Sequence, residues 1–338
     1  MVALLVAFGL AVNAGVSAGA SPKLLPATSR ISTASGPSTN LPSGNNIVGK
    51  TILMTVYTAP LAAWVPALNA VKAVEAMTGV NVRVEYGNNN NQTMITDIET
   101  GIADHVAGMV VNTVSSAFNT AVCDAYKAGI PVIAWNQNGA TGKAASTCIE
   151  AYIGQDFVTA GEVIGNWAVN QGYVKKNARV FCPVEDPTAV YAYTRETGVN
   201  EALAKVGAHC NVVATTDTDS TIQSTMIDYL LGHPSTSAII ALGGLDLANM
   251  APVLAKIGRK IPVVGFDVYD PRIVKNIEDG VVLGVVDQQF YSQAFYAVLQ
   301  IAMQLKYGLF PSSMNTGGSG VVTKATVGIV AKLSGTYR

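Results

Sequence analysis

Short apolar runs in this chain repeatedly end in amides, carboxylates and aromatic rings, side chains that hold a molecule by hydrogen bonds without reacting with it. Asn112 follows VAGMVV, Asn136 and Gln137 follow PVIAW, and Gln155 and Asp156 follow AYIG. Farther on, Glu185 and Asp186 follow ARVFC, Asp246 follows the Gly243-Gly244 pair, Asp267 follows PVVGF, and Gln288 follows LGVVD. Carboxylates accept hydroxyl hydrogens, side-chain amides donate and accept, and aromatic faces cover apolar C–H patches. A neutral polyhydroxylated molecule needs this supply. Trp64 and Tyr193 are the stacking candidates, while Trp135, adjacent to Asn136 on a strand, should point the other way.

No reactive centre competes with this reading. The chain has no G-x-x-x-x-G-K-[ST] phosphate loop, no G-x-G-x-x-G after a strand, no G-x-S-x-G elbow and no H-E-x-x-H. His105, His209 and His233 fall at strand starts or turns, away from the polar edge, and read as surface residues. No C-x-x-C or His/Cys cluster suggests zinc. The glycine-rich stretch at 317–320 precedes a strand, so it lacks the helix amino terminus that would hold phosphate. The expectation is a binding protein that is not an enzyme and uses no metal or cofactor. Charged residues make up 13% of the chain and the formal net charge is -1, with the 21 basic residues scattered singly or in pairs. Nucleic acid is therefore not an expected partner.

The elements that must position the polar set alternate strand and helix. Strand-like runs at 52–57, 80–86, 106–111, 131–135 and 149–154 are separated by amphipathic stretches at 61–77, 92–102 and 117–128. Such alternation gives a parallel sheet covered on both faces by helices, with ligands at the carboxyl ends of the strands. Within AYKAGIPVIAWNQNG, Gly129 suits a helix C-cap and Pro131 opens the strand. The second series is ARVFC, a helix over 193–206, NVVAT, a helix over 220–231, SAIIAL, a helix over 247–257, PVVGF, a short helix near 273–278, and VVLGVVD. A last helix at 292–307 precedes a Ser/Gly-rich loop and an apolar strand at 320–330. With 338 residues and 49% hydrophobic content, two α/β lobes in series are the default. The asparagine run at 88–91 reads as a solvated turn.

The first twenty residues, 1–20, form an apolar segment ending in small residues, with Ala18 and Ala20 placed as at a cleavage site. A Ser/Pro/Thr/Gly-rich linker follows at 21–46. Export to the periplasm or the cell exterior is expected, without a cysteine for lipid attachment; the segment is either cleaved or kept as a tether. Four cysteines fit an oxidising compartment. The favoured bridge joins Cys123, on the helix entering PVIAW, to Cys148, on the return into the next strand. Whether Cys182 and Cys210 pair is open, because they fall at the end of one strand and the start of the next, and opposite ends of a strand some 15 Å long do not bridge undistorted.

From Gly49 onward the chain resembles the type I periplasmic binding proteins of the ribose/galactose class, the solute receptors of sugar ABC transporters. The resemblance rests on AGMVVN at 107–112, AGIPVIAWNQ at 128–137, YIGQDFVTAG at 152–161, TRETGVNEAL at 194–203, IPVVGFDV at 261–268 and GVVDQQFYSQAFYAV at 284–298. It implies two Rossmann-like lobes with parallel sheets joined by a three-strand hinge, crossing near Gln155, Gln288 and Ser312. The lobes would be 47–155 plus 289–312 and 156–288 plus 313–338. Carried over by position, its ligand contacts fall on Trp64, Asn112, Asn136, Gln137, Tyr193, Asp267 and Gln288, with Asp246 as a further contact; Arg195 matches a structural helix position. Where pentose binders place an Asp-Arg pair this chain has Asn136-Gln137, and where they have a further Arg it has Tyr193. The implied pocket is less charged, suited to a linear polyol or a deoxy sugar. The implied function is a monomeric extracytoplasmic receptor that closes on a neutral sugar or polyol and delivers it to an ABC permease. The alternative is a sensor presenting the bound sugar to a chemoreceptor or sensor kinase. A sugar-responsive repressor is rejected, since the apolar segment and linker occupy the place of its DNA-binding helices.

Overall fold

Two series of β-α units follow one another, as the alternating pattern requires. The structure, a computed structural model, describes residues 43–140, 145–318 and 320–338, with the backbone alone for Ala145 and Ser146. The expected export segment (1–20) and all but the last residues of the expected linker (21–46) lie outside the described residues. The first series runs β1 (Thr51–Val56), α1 (Val65–Thr78), β2 (Asn81–Tyr86), α2 (Asn91–Ala103), β3 (Gly108–Thr113), α3 (Asn119–Lys127), β4 (Val132–Asn138), α4 (Ala145–Cys148) and β5 (Ala151–Gly154). The second runs α5 (Phe157–Asn170), β6 (Arg179–Val184), α6 (Val190–Ala204), β7 (His209–Ala214), α7 (Asp219–Gly232), β8 (Thr236–Ala241), α8 (Gly244–Ala248), α9 (Met250–Ile257), β9 (Val263–Phe266), α10 (Pro271–Glu278) and β10 (Gly284–Val286). It is followed by α11 (Phe290–Tyr307), β11 (Met314–Asn315), β12 (Val321–Val322) and α12 (Val327–Ala331).

The strand orders are β11-β5-β4-β3-β1-β2 and β12-β10-β9-β8-β6-β7. All pairings are parallel except β10 with β12. Parallel strands are buried on both faces, which is why β1 and β3 read as continuous apolar runs. On one face of the first sheet Trp135 shares a core with Val71 of α1 and Ile301 of α11; on the other Leu53 shares one with Met94 and Ile98 of α2 and with Phe118 just before α3. In the second sheet Val180 and Ile240 share a core with Ile164 of α5 and Val199 of α6, and Phe181 and Ile239 with Met226 of α7 and Ile277 of α10. Both sheets belong to one compact unit, Gly44–Arg338. Among the described residues no helix is long and apolar enough to cross a membrane.

Local chemistry sets the turns. Gly129 takes φ 77 just past α3, a left-handed position that glycine adopts without cost. The asparagine run divides its work: Asn88 and Asn89 have φ 50 and 59, and the Asn90 side chain caps α2 by accepting from the amides of Gln92 and Thr93.

The chain passes between the sheets three times, from β5 to α5, from β10 to α11 and from β11 to β12. These passages pack on one another: the Thr316 amide donates to the Gly154 carbonyl (2.8 Å) and its hydroxyl to the Gln288 carbonyl (2.9 Å). The last passage follows Asn315, beyond the Ser312 expected from sequence, because Ser313 accepts from the Tyr152 amide and Met314 packs on the first core. The strand expected at 320–330 is a correction. Only Val321–Val322 pair, and a turn closed by Thr326 N–H to the Thr323 carbonyl (2.9 Å) then starts α12. Val327 and Val330, three apart, bury one helical face.

Both cysteine pairs are bridged: Cys123 with Cys148, and Cys182 with Cys210. The second pair joins because Cys182 lies inside β6, two positions from Val180, the register partner of Cys210. Their Cα atoms are 5.5 Å apart, within disulfide range.

Candidate functional site

The carboxyl ends of the two sheets face each other across a cleft of about 380 Å³. Its floor is a continuous polar chain. Asn112 Nδ2 donates to Asn136 Oδ1 (3.1 Å), and Asn136 Nδ2 donates to Gln288 Oε1 and Gln293 Oε1 (both 3.0 Å). Gln288 Nε2 donates to Asp267 Oδ1 (3.0 Å), and Arg195 straddles Asp267 with Nη1 and Nη2 at 3.4 Å from its two oxygens. Arg195 Nη2 also reaches Gln155 Oε1 (3.3 Å) and Nη1 the Leu242 carbonyl (2.7 Å). The chain thus starts in the first sheet, uses the crossing residue Gln288, and ends on α6.

Two of these residues sit in strained backbone. Asn136 has φ 60 at the end of β4, and Asp267 has φ 76 just after β9. Left-handed conformation at a non-glycine residue costs about 1–3 kcal/mol and persists where neighbours over-determine it; here the side-chain bonds do so. Asp267 is not a helix cap, since Asp270 caps α10 by accepting from the Arg272 amide. Gln137 Oε1 is buried without a partner and Gln137 lines the cleft, which leaves hydrogen-bonding capacity there.

The walls are aromatic and acidic. Tyr57, Trp64 and Phe290 line the first side, and Phe157, Tyr191 and Tyr269 the second. Trp64 is fixed by donating to Thr58 Oγ1 (2.6 Å) and by edge contact with Phe290 (4.9 Å). Trp135 is wholly buried and donates to the Thr55 carbonyl, pointing away from the cleft as alternation requires. Glu185 accepts from the Tyr191 hydroxyl (2.8 Å) and the Leu245 amide (2.9 Å). Burial pushes its carboxyl up, and burial raises the Tyr191 and Tyr269 hydroxyls well above their usual range. A Cβ at Gly243 would run into the Glu185 carboxylate, so that glycine lets the acid close on the turn opening α8. Among the described residues no group of three His, Cys, Asp or Glu side chains could hold a metal.

Residues 52–309 match the family described as periplasmic binding protein domain. The chain belongs to this family. Its relatives include a xylose/arabinose-binding protein of Sulfolobus acidocaldarius, 28% identical over 67% of this chain and 59% of the relative's length. A ribose import binding protein of Bacillus subtilis is 26% identical over 71% of this chain and 76% of its own. The match thus spans less than two thirds of the first of these. Among solved structures, a carbohydrate transporter of Acidothermus cellulolyticus in complex with myo-inositol superposes with TM-score 0.74 at 23% identity, covering 85% of this chain and 99% of that one. A solute-binding protein of Burkholderia graminis in complex with D-arabinose gives 0.73 at 21%, covering 83% and 97%. The family is one of binding domains, which agrees with the polar, non-reactive residue supply read from the sequence.

Within this periplasmic binding fold, Trp64, Asn136, Gln137, Asp267 and Gln288 of the expected contacts line the cleft, and three others do not. Asn112 is wholly buried inside β3 and acts on Asn136 from behind. Asp246 is wholly buried in α8, where it accepts from the Thr215 hydroxyl (2.8 Å) and burial raises its carboxyl well above the usual range. Tyr193 is 46% exposed on the outside of α6. Its helix turns by about 100° per residue, so Tyr191 and Arg195, four apart, share the cleft face while Tyr193 points about 200° from Tyr191. Arg195, expected as a structural residue, lines the cleft with three rings, Phe266, Phe157 and Tyr191, 4.2 to 5.4 Å from its guanidinium carbon. The helical spacing of Tyr191 and Arg195 is legible in the sequence, but which side of α6 meets the cleft is not. Asn89, read as a plain turn residue, also reaches the cleft.

Proposed function

We propose that the protein captures a small neutral sugar or polyol in this cleft, closes on it about the three crossings and hands it to an ABC transporter permease outside the cytoplasm. The observation that carries the reading is the floor of Asn136, Gln288, Asp267 and Arg195, which links both sheets through the hinge and presents amide, carboxylate and guanidinium to one space. A ligand bonded to both ends of that floor binds the closed form better than the open one, and only such differential binding shifts a hinge equilibrium. Names and complexes of the relatives, xylose/arabinose, ribose, D-arabinose and myo-inositol, support the ligand class.

The contact set is Trp64, Asn136, Gln137, Asp267 and Gln288, joined by Arg195, Glu185 and Tyr191. Arg195 restores the guanidinium fork that Asn136-Gln137 and Tyr193 lack, so ring pentoses and cyclitols fit beside linear polyols. Glu185, Asp186, Asp217 and Asp267 outnumber Arg195 in the lining, which disfavours sugar acids and sugar phosphates. The lobes are 44–155 with 289–315, and 156–288 with 316–338. The molecule acts as a monomer, and the apolar 1–20 segment directs its export; two disulfides support an oxidising compartment.

A melting screen of pentoses, hexoses, inositols, linear polyols, amino acids and purines tests the reading. A cognate ligand at a hundred times its Kd adds about 2.7 kcal/mol of stability. A shift from an amino acid or purine, with none from any polyhydroxylated compound, refutes it.

A further inference from the structure

At the opposite edge of the second sheet from the cleft, a cavity of about 710 Å³ opens at the amino ends of β6, β7 and β8. Its chemistry is basic. Arg179 opens β6 in register beside His209 of β7 and Thr236 of β8, and all three line the cavity. Arg179 makes no ion pair and no side-chain hydrogen bond among the described residues. His233, just past α7, also lines it. Its ring stacks on Tyr229 at 4.1 Å, and Tyr229 stacks on Phe181 at 4.1 Å. Its Nδ1 lies 2.8 Å from the Tyr229 carbonyl, so Nδ1 donates there and Nε2 is the ring nitrogen left for another partner.

Most of the surrounding charge has the same sign. Parallel strands start at one edge, so the loops entering β6 and β9 bring Lys175, Lys176, Arg259 and Lys260 to this end of the sheet. Arg259 braces the pocket by donating to the carbonyls of Leu230, Pro234 and Thr236 at 2.9, 2.9 and 2.6 Å. The acids at this end are Asp228, beside Tyr229 near the carboxyl end of α7, and Glu278 and Asp279, which precede β10 on the far side of β9, where Asp279 is held by Lys275 at 2.7 Å. Basic residues that are scattered in the sequence are thus collected by the topology.

We propose that this cavity is a binding site for a phosphate-class oxyanion, whether free phosphate or the headgroup of an anionic lipid. Donors arrive from β6, β7 and the end of α7. A tetrahedral anion offers acceptors in those several directions, and the unpaired guanidinium of Arg179 supplies the fork that phosphate favours.

The test is a titration of the full chain with inorganic phosphate, followed by amide and imidazole resonances, with sodium chloride as the control. Saturable shifts centred on Arg179, His209 and His233 are expected. Arg179→Gln should weaken binding about tenfold or more while leaving melting temperature and sugar binding in the cleft unchanged. Sedimentation with phosphatidylcholine vesicles containing phosphatidylglycerol separates the sources: vesicle binding released by phosphate points to a headgroup, and phosphate binding without sedimentation to the free anion. No saturable response, equal displacement by chloride, or wild-type affinity in Arg179→Gln overturns the proposal. None of these outcomes depends on which sugar the cleft takes.

Discussion

Replacing Asp267 with Asn should both destabilise the protein and weaken its ligand. The carboxylate accepts from both Arg195 nitrogens at 3.4 Å and from Gln288 at 3.0 Å. The side chains are 1% and 4% exposed, so solvent screens little of the interaction. The amide keeps the shape and one acceptor but turns an NH2 toward existing donors. Arg195 then keeps only the Leu242 carbonyl, Gln155 Oε1 and the Phe266 face. Removing one partner of a buried pair costs about 3–5 kcal/mol, and the retained partners together with the long separations place this case nearer about 2–3 kcal/mol. Urea unfolding should show that loss as a lower midpoint. Arg195→Met should cost a similar amount, and the double variant less than the sum by about 1 kcal/mol or more, because neither charge is then left unpaired. Calorimetric affinity for the cognate sugar should fall about a hundredfold in Asp267→Asn, equivalent to about 2.7 kcal/mol. Strictly additive stability effects, or unchanged affinity in Asp267→Asn, would refute the assignment of this pair to the cleft floor.

Other perturbations follow from the same geometry. Asp287 at the second crossing has its carboxyl pushed up to about 6 by burial, against the lowering field of Arg338. A raised carboxyl stabilises the fold below its unfolded pKa and loses that contribution as pH rises toward 6, up to about 3 kcal/mol. Asp287→Asn should therefore flatten the stability profile between about pH 4 and 7 and raise the melting temperature at pH 7; a wild-type profile in the variant contradicts this. Gly243→Ala should displace the Glu185 carboxylate from Leu245 and Tyr191, costing about 1–3 kcal/mol, read by denaturant titration; an unchanged midpoint means the turn can yield. Replacing Cys123 and Cys148 with Ala removes a link across 25 residues and should cost about 2–4 kcal/mol by denaturant titration, a difference that disappears when both proteins are measured under reducing conditions.

The alternation of apolar runs with amphipathic stretches determined the fold class, because a strand buried on both faces must be apolar throughout and a covering helix must be apolar on one side only. The same rule put Asn136, Gln137, Asp267 and Gln288 at the carboxyl edge, where a run of core residues has to end in something polar. Individual positions inside a helix were less legible. Tyr193 and Arg195 exchange roles because two positions along a helix lie about 200° apart, and which side of α6 faces the cleft is set by its packing on the sheet and α5 and not by its own sequence. The apolar stretch at 320–330 misled for a different reason: a strand buried on both faces accepts apolar residues at any spacing, so Val327 and Val330 do not exclude one, and the turn at Thr323 and Thr326 makes their three-residue spacing a helical face. Pairing was the third gap, as Cys182 meets Cys210 only through the register of β6 and β7.

What the sequence determined by itself is therefore the order of elements and the chemical supply at their ends. What only the tertiary structure decided is which members of that supply meet. Asn112 and Asp246 are turned into the interior, Arg195 into the cleft, and Arg179, His209 and His233 to one cavity at the other edge. The physical reason is that local propensities act over a few residues, whereas these meetings depend on strand order and on the three crossings, set by contacts between residues far apart in the chain.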